Sequence, residues 1–379
     1  MAPNSKLNAK RKAQREGEKP VKPKSDKRPS STAPVKGPGI SYIPIELQQL
    51  LLNIFRNSFA ERLSSDFAPL LQEVKGHLYN RDFATAFGKN EYLEVYAARW
   101  SPSRALGYLD LIWEWRDKLW ADIDKGEEER EEAGKEGTKS KSRKVVCLGG
   151  GAGAEIVALG GMQKLMSSMN AEEEEDGKSE GTGSHVEVAA IDVADWSVVV
   201  ENLAKQLTTA PTLNKYASAA ARAANVSPLN PEDISVHFKQ QDVLQASTED
   251  LSAQLADANL VTLLFTLNEL YSTSMPLTQK FLLQMTSVLQ PGALLLVVDS
   301  PGSYSSVTLN GAEKKYPMQW LLDHTLLEQA TENRGSKDEI VRWEKIKEDG
   351  SRWYRLDERL RYPIELENMR MQVHLYRKL

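Results

Sequence analysis

The sequence predicts an α/β fold in which a mostly parallel β-sheet of seven strands follows a helical N-terminal region. Three observations lead to this prediction. Short β-branched or Leu-rich runs alternate with helical stretches over residues 143–379, which is typical of βαβ units with right-handed crossovers. The first of these runs ends in a cluster of glycines that leads into a helix. Over residues 40–125, apolar residues recur instead at the spacing of an α-helix.

The first 39 residues are dense in Lys, Pro and Ser, and we expect them to form a disordered basic arm. Residues 1–36 contain eleven Lys and Arg against three Asp and Glu, a net charge of +8. The whole chain has a net charge of −5, so the remainder carries −13. Such an arm suits nuclear targeting or a sequence-independent contact with phosphate backbones, and a solubilising tail is the alternative.

The predicted helical region ends at a charged linker, residues 126–142, which has almost no apolar side chains. Ser101 and Pro102 supply an N-cap and a first helical residue, so we expect a helix to begin there. Within that helix, large apolar residues recur at spacings of 3, 4 and 7, at Leu106, Leu109, Trp113 and Trp120. This one-sided stripe favours core packing over stacking on nucleic-acid bases.

Five strand-like runs follow the linker within the domain predicted at 143–379. They are KVVCLGG (144–150), EVAAID (187–192), ISVHFKQQD (234–242), LVTLLFTLN (260–268) and ALLLVVDS (293–300). An acidic loop insertion is predicted at 170–184, between the first helix and the second strand. Alternation of apolar and polar residues towards the C-terminus predicts a closing strand pair.

Several classes of protein are excluded by composition and spacing. The single cysteine, Cys147, excludes an intramolecular disulfide and favours a reducing compartment. No secretory signal or membrane-spanning helix is expected, because the N-terminus is polar and no apolar run approaches the required length. The five histidines have no partners at metal-ligand spacing, and neither a hydrolase elbow nor a P-loop occurs, so no metal site is expected.

The candidate chemistry begins at the glycines that end the first strand. Gly149, Gly151 and Gly153 would let a ligand approach the backbone closely, and the following helix offers free N–H groups. We therefore expect these three glycines to bind a cofactor. Gly149, Gly151 and Ala154 also satisfy the dinucleotide pattern G-x-G-x-x-A, so at this point NAD or FAD remains a competitor.

Two acidic residues at the ends of the second and third strands are further candidates for cofactor binding. Asp192 is placed to accept hydrogen bonds from a ribose diol, although it lies 43 residues after Gly149 rather than about 20. The acidic insertion accounts for most of that excess. Asp242 is placed to receive an adenine amino group, or alternatively to cap a helix. Together with the glycines, these residues define a nucleoside site at one edge of the sheet.

Two later segments distinguish between the cofactors. SVLQPGALLLVVDS (287–300) resembles the fifth strand unit of class I S-adenosylmethionine (SAM) methyltransferases, and LLFTLNELYSTS (263–274) resembles the fourth. The resemblance implies a Rossmann-like sheet and SAM as the cofactor. It also places Asn268 and Glu269 near the methyl group to be transferred. Glu269 or Asp299 is the candidate proton acceptor, with a structural turn as the alternative role for Asp299.

A closer resemblance rests on five segments that occur in order from about residue 43 to the C-terminus. They are YAARWSPSRALGY (96–108), VVCLGGGAGAEIVALGG (145–161), LLFTLNELYSTS (263–274), VVDSPGSYSSV (297–307) and YPIELENMRMQVHLYRKL (362–379). Together they resemble the fungal 25S ribosomal RNA uridine-N3 methyltransferases. The resemblance implies that the acceptor is N3 of a uridine in large-subunit rRNA, presented as RNA or as a pre-ribosomal particle. It also implies residence in the nucleus, chiefly the nucleolus, with the cytoplasm as an alternative.

One residue departs from the family pattern. Many class I methyltransferases have an acidic residue two positions before the first glycine, where it meets the methionine amino group, and this chain has Cys147 there. Either another carboxylate substitutes, for example from the N-terminal helices, or the methionine end is held differently. The departure leaves room for an inactive scaffold in pre-ribosome assembly. A methyltransferase that acts on protein or a small molecule is a further alternative.

Overall fold

The computed structural model describes part of the 379-residue chain. The described backbone comprises residues 41–120, 142–175, 185–213, 215–223, 225–302, 304–309, 312–333, 335, 338 and 340–379. Side chains are described within these ranges except at 170–175, 221 and 304–314. The basic arm predicted at 1–39, the linker predicted at 126–142 apart from Ser142, and residues 176–184 of the predicted acidic insertion lie outside the described residues.

Helices precede the sheet, in agreement with the apolar spacing of this part of the sequence. They are α1 (Ile45–Ser58), α2 (Ala60–Ser64), α3 (Phe67–Tyr79), α4 (Phe83–Ala86), α5 (Asn90–Glu114) and α6 (Arg116–Leu119). Within the described part of the chain, none of the helices is long and apolar enough to cross a membrane.

Helix α5 begins twelve residues earlier than the sequence predicts, with Asn90 rather than Pro102 as its first residue. Its upstream turns bury an apolar face that includes Tyr92 and Val95, so the helix continues through Pro102. The Ser101 hydroxyl does not cap a helix but donates a 2.7 Å hydrogen bond to the Ala152 carbonyl. Burial of the upstream face therefore outweighs the start signal that Ser-Pro provides.

The main sheet has seven strands in the order β3-β2-β1-β4-β5-β9-β8. These are β1 (Ser142–Leu148), β2 (His185–Asp192), β3 (Ile234–Gln240), β4 (Leu260–Leu264), β5 (Leu294–Asp299), β8 (Trp343–Tyr354) and β9 (Met369–Lys378). Strands β1 to β5 of this sheet are parallel to one another. Strand β9 is antiparallel to both of its neighbours, β5 and β8, so β8 runs in the same direction as β1 to β5. The seven-stranded, mostly parallel sheet predicted from the sequence is confirmed. A separate hairpin, which was not predicted, comprises β6 (Tyr304–Leu309) and β7 (Ala312–Pro317).

Helices cover both faces of the sheet. The remaining helical segments are α7 (Ala154–Glu175), α8 (Ser197–Thr208), α9 (Ala219–Ala223), α10 (Thr248–Leu255), α11 (Leu267–Thr273), α12 (Met275–Val288), α13 (Met318–Asp323) and a π-helical turn (His324–Gln329). Because α7 reaches Glu175, the first six residues of the predicted loop insertion are helical.

The N-terminal helices share one hydrophobic core with the sheet. Leu106 and Leu109 of α5 are buried in the same cluster as Val145 of β1 and Val373 of β9. The predicted core role of this apolar stripe thus holds for Leu106, Leu109 and Trp120, and Trp113 packs against the same core while partly buried. On the opposite face, the buried Trp343 indole N–H donates a 2.8 Å hydrogen bond to Thr286 of α12. Helix α5 is therefore part of the sheet's core packing, which places its residues beside the strand ends.

We predict opposite effects of leucine at two glycines that both lie inside helices. A β-carbon at Gly107 would contact the Met369 side chain and approach the Tyr354 ring to 3.2 Å, whereas one at Gly76 would meet no atom within 4 Å. Gly107→Leu should lower the free energy of unfolding by about 1–3 kcal/mol through overpacking. Gly76→Leu should raise it by up to about 1 kcal/mol, because leucine favours the helix over glycine. Urea-induced unfolding followed by circular dichroism measures both, and an unperturbed Gly107→Leu variant would contradict the packing of α5 on β8 and β9.

Candidate functional site

The glycine turn connects β1 to α7 at the C-terminal edge of the sheet. Gly149 and Gly153 have φ angles of +76° and +81°, a backbone conformation that side-chain-bearing residues rarely adopt. The Gly149 N–H donates a 2.7 Å hydrogen bond to the carbonyl of Ile191 at the end of β2. The turn is thus fixed against the neighbouring strand, and its conformation requires glycine.

The protein's own side chains pack tightly against three glycines of this turn. A β-carbon would collide with Thr266 at Gly149, with the Trp196 indole at Gly151 and with Leu203 at Gly153. The sequence pattern indicates that these glycines allow close approach by a ligand. The structure adds that glycine is also needed for close packing, since each of these positions is already in contact with a neighbouring side chain.

Asp192, at the end of β2, lies directly beside the glycine turn. Its carboxylate accepts 3.2 Å hydrogen bonds from the backbone N–H groups of Gly151 and Ala194. Burial raises the pKa of Asp192, and these N–H groups act in the opposite direction. The structure therefore brings together the predicted cofactor residues Gly149, Gly151, Gly153 and Asp192.

Asp242 lies at the same edge of the sheet, two residues beyond the end of β3. Its carboxylate accepts a 2.9 Å hydrogen bond from the Leu244 N–H, which stabilises the following turn. Asp242 therefore does not cap a helix, as the alternative from the sequence proposed, because the next helix, α10, is capped by Ser247. Binding of a cofactor by Asp242 stays a prediction.

A buried carboxylate that the sequence analysis did not single out lies beneath the glycine turn. Glu155, in the first turn of α7, is 4% exposed and accepts a 2.6 Å hydrogen bond from the hydroxyl of Thr262 on β4. Burial, with a smaller contribution from the nearby Asp192, raises the pKa of Glu155 to about 8, against the opposing effects of the Thr262 hydrogen bond and of Arg104. Its position beside Cys147 could not be read from the sequence, where only an acidic residue in an apolar helix was visible.

A cleft of about 320 Å³ opens between the N-terminal helices and α11. It is lined by Leu78, Arg81, Phe83, Tyr96, Trp100, Arg104, Asn268, Glu269 and Ser272. Two of the predicted catalytic residues, Asn268 and Glu269, therefore share one cavity with aromatic rings and two arginines. Both lie in the first turn of α11, because β4 ends at Leu264, four residues before the end of the predicted strand run.

Asp299, the third predicted catalytic residue, lies behind the cleft at the end of β5. Its carboxylate accepts hydrogen bonds from the backbone N–H groups of Asn268 (3.0 Å) and Ser300 (2.7 Å). These contacts correspond to the structural role considered from the sequence. The carboxylate holds the start of α11 in place and thereby positions the two polar residues that line the cleft.

Arg104 reaches the cleft from α5. Its Nη1 donates a 3.1 Å hydrogen bond to the Tyr96 hydroxyl, and its guanidinium lies 4.9 Å from the centre of the Phe265 ring. The other arginine of the same sequence segment, Arg99, is buried and paired with Glu367 instead. Of these two arginines, Arg104 lines the cleft and Arg99 does not.

The electrostatic state of Glu269 is set by its surroundings. Although its side chain is open to the cleft, partial desolvation raises its pKa to about 7, and Arg104 opposes this shift. Such a carboxylate changes protonation state near neutral pH, which suits the transfer of a proton. Close by, the Asn268 side-chain oxygen is buried without a hydrogen-bond partner among the described residues. The cleft therefore combines a titratable carboxylate and a cation with a residue, Asn268, whose buried amide oxygen has no partner among the described residues.

Within the described residues, no group of three or more His, Cys, Asp or Glu side chains is arranged to hold a metal ion. The single cysteine, Cys147, is fully buried in β1, and burial raises the pKa of its thiol well above the usual range. Its thiol is therefore not a reactive nucleophile.

Comparisons with known proteins agree with one another. A family model described as "Putative SAM-dependent methyltransferase" matches residues 55–377. The chain is 33% identical over 349 residues to the 25S rRNA (uridine(2843)-N(3))-methyltransferase of Saccharomyces cerevisiae, covering 87% of this chain and 85% of the yeast protein.

Among solved structures, a SAM-dependent methyltransferase from Methanosarcina mazei is 12% identical, with a TM-score of 0.34, and covers 64% of this chain and 95% of its own. The N-methyltransferase NodS from Bradyrhizobium japonicum, in complex with S-adenosylhomocysteine, is 12% identical with a TM-score of 0.28, and covers 62% of this chain and 78% of its own.

We predict that Glu155 makes the stability of the ligand-free protein depend on pH. A carboxyl whose pKa rises from 4.5 to about 8 on folding stabilises the native state fully below 4.5, and this contribution is lost as the pH rises through 8. In wild type the free energy of unfolding should fall across this window by up to about 1.4 kcal/mol per pH unit from this group. Glu155→Gln should remove that slope, whereas the exposed control Glu201→Gln should run parallel to wild type. Urea unfolding at a series of pH values tests this, and parallel curves for all three proteins would contradict it.

Proposed function

The chain belongs to the family of SAM-dependent methyltransferases that includes the yeast 25S rRNA uridine-N3 enzyme, and from this premise we propose that it methylates N3 of a uridine in large-subunit rRNA. Family membership confirms the resemblance found in the sequence. The activity of the yeast relative suggests this acceptor. The structural observation that supports it is the cleft beside the glycine turn, which is lined by Glu269 and Arg104.

The residues at the glycine turn fit the cofactor. Asp192 offers carboxylate oxygens at the strand end, where the ribose of a nucleoside lies in folds of this kind. The Trp196 indole packs on Gly151, and its N–H points to the Asp192 carboxylate closely enough to lower the pKa of that group. When bound, SAM supplies an electrophilic methyl group on a sulfonium, so the protein mainly has to align the reacting atoms.

The cleft adjoins this cofactor site through two contacts. Thr266, which packs on Gly149, precedes Asn268 and Glu269 by only two and three residues. On the other side, the Trp196 ring lies 5.8 Å from that of Tyr96, which lines the cleft. A base held in the cleft would therefore lie next to the glycine turn, as transfer of a methyl group requires.

The cleft suits an unpaired pyrimidine. N3 of uracil lies on the Watson–Crick edge, so the base has to leave its pair before the atom becomes accessible. Tyr96 and Trp100 offer aromatic faces on which an extruded base can stack. The side-chain oxygen of Asn268, which has no hydrogen-bond partner among the described residues, can accept a hydrogen bond from N3–H before that proton is lost.

Glu269 and Arg104 have different roles in the reaction of the acceptor base: the first accepts a proton and the second stabilises negative charge. N3 of uracil carries a proton that has to be lost on methylation, and Glu269, ionised at and above about pH 7, is positioned to accept it. Loss of the proton spreads negative charge over O2 and O4, and the Arg104 guanidinium stabilises that charge in the partly desolvated cleft. Asp299 acts through the backbone of Asn268, so we assign it a positioning role rather than that of proton acceptor.

RNA binding by an acidic chain requires locally placed cations. The chain outside residues 1–36 carries −13, yet Arg81 and Arg104 both line the cleft that contains Glu269. The predicted basic arm adds a separate contact for phosphates. We propose that these cations compensate for the acidic surface at the point where the RNA enters.

We expect the modification itself to depend on Glu269. In cells that carry Glu269→Gln in place of the native gene, 3-methyluridine in purified large-subunit rRNA should fall towards the level of a gene disruption, because general-base catalysis contributes roughly 10²- to 10⁴-fold. Mass spectrometry of nucleoside digests measures it, with the exposed Glu61→Gln as matched control and immunoblots to verify protein levels.

The pattern across strains distinguishes an enzyme from a scaffold. If the disruption removes 3-methyluridine while both Glu269→Gln and a Gly151→Arg, Asp192→Ala double variant retain it, the protein supports the modification without using this site. If the disruption changes nothing, the uridine assignment is wrong.

We also predict the pH dependence of methyl transfer in vitro. Single-turnover rates on large-subunit rRNA or precursor particles should rise with pH and level off above about 7, because only ionised Glu269 accepts the proton. Arg104→Met should move this inflection to higher pH, since Arg104 normally lowers the pKa of Glu269, and it should also reduce the plateau rate. Glu269→Gln should have no inflection near 7, and a wild-type inflection in that variant would assign proton transfer to another group.

A further inference from the structure

We propose that the carboxylate of Glu155 is the ion-pair partner of the ammonium group at the amino-acid end of bound SAM. This inference rests on the proposed function, and it replaces the suggestion from the sequence that the N-terminal helices supply such a carboxylate. Glu155 comes instead from α7, directly after the glycine turn.

The position of Glu155 is fixed tightly. Its Oε1 accepts a 2.6 Å hydrogen bond from Thr262, whose partner in the sheet register is Cys147. A β-carbon at Gly150 would lie 2.6 Å from the Cys147 β-carbon and 2.9 Å from Glu155 Oε2. The carboxylate is thus held between the end of β1 and the backbone of the glycine turn.

Glu155 lacks the counter-ion that a buried carboxylate normally has. It is 4% exposed, and although the Arg104 guanidinium lowers its pKa from a distance, no salt bridge to this carboxylate occurs among the described residues. Its one side-chain hydrogen bond comes from a neutral hydroxyl. Burying an unpaired carboxylate is costly, so such a group is either neutral or awaits a cation from outside the protein. The raised pKa of Glu155, about 8, agrees with the first state in the ligand-free protein.

SAM carries an ammonium group at the end of the amino-acid chain that is attached to its nucleoside. Asp192 contacts the turn at Gly151, and Glu155 adjoins the preceding residue, Gly150. The two carboxylates are close enough for Asp192 to raise the pKa of Glu155, yet they flank the turn from β2 and α7 respectively. With the ribose at Asp192, the amino-acid chain of SAM extends from the same nucleoside and can bring its ammonium group to Glu155.

Binding then has a defined proton balance. The protonated carboxyl of Glu155 loses its O–H proton to solvent, and the resulting carboxylate pairs with the ammonium group, which keeps its three protons. One proton is released for each cofactor bound when the pH lies below the pKa of Glu155. Affinity for a ligand with the ammonium group should therefore increase with pH up to about 8.

Two ligands distinguish an ion pair between Glu155 and the ammonium group from a general disturbance of the cofactor site. S-adenosylhomocysteine contains the amino-acid end, whereas 5′-methylthioadenosine has the same nucleoside without it. By isothermal titration calorimetry on the full chain, Glu155→Gln should weaken S-adenosylhomocysteine roughly 10- to 100-fold and leave 5′-methylthioadenosine within about twofold. The matched variant Asp192→Asn should weaken both ligands. Titration in buffers of different ionisation enthalpy measures the protons released on binding. Wild type should release protons when it binds S-adenosylhomocysteine but not when it binds 5′-methylthioadenosine.

Each other outcome contradicts a specific statement. Equal loss of both ligands in Glu155→Gln, or no loss of either, overturns the role of Glu155 while SAM binding stands. If wild type binds neither ligand, the proposed function itself fails. Glutamine can still accept the Thr262 hydrogen bond, so the variant should fold, and its thermal unfolding curve verifies this.

Discussion

The packing of α5 over the C-terminal edge of the sheet is the constraint on which both halves of the site depend. The Ser101 hydroxyl holds the Ala152 carbonyl of the glycine turn, so the helix is fixed directly against the loop at the cofactor site. The same helix brings Tyr96, Trp100 and Arg104 to the wall of the cleft. Without α5, the edge of the sheet would be open to water, and neither the aromatic surface nor the desolvation around the carboxylates would exist. A region that precedes the sheet in sequence therefore completes the site that the sheet begins.

Desolvation explains why three carboxylates near this edge have raised pKa values. For Glu155, Asp192 and Glu269, burial is the largest influence on the pKa, and neighbouring carboxylates add to it for Glu155 and Glu269. Arg104 opposes the shift at both Glu155 and Glu269, so one guanidinium influences the cofactor side and the acceptor side together. In a low-dielectric environment such coupling is stronger than at the surface. Binding of a positively charged cofactor would thus change the electrostatics of the cleft as well as those of its own site.

The sequence predicted the sheet, the glycine turn and Asp192 because each depends on local pattern: strand runs, glycines at a strand end, and an acid at the next strand end. It placed the start of α5 wrongly, because Ser101 and Pro102 resemble a start signal and the burial of the preceding turns is a tertiary property. The place of Arg104 in the cleft could not be read from the sequence, since its contact with Phe265 joins residues 161 positions apart. Glu155 was missed for a similar reason. Its significance depends on burial and on Thr262, which is 107 residues away, and no spacing rule connects the two.

The lack of an acidic residue at position 147 and the presence of the buried Glu155 are related features of one arrangement. The two side chains adjoin the same point of the turn, Gly150, where a further β-carbon would not fit. An acidic residue at position 147 would place a second buried carboxylate against Glu155, and like charges at that distance cannot both ionise without a large penalty. A small apolar thiol avoids the repulsion and leaves space for the longer Glu155 side chain, which reaches back from α7. The first strand therefore lacks the acidic residue that many class I methyltransferases have there, but Glu155 still places a carboxylate beside the glycine turn. Recognition of a cationic cofactor requires such a carboxylate.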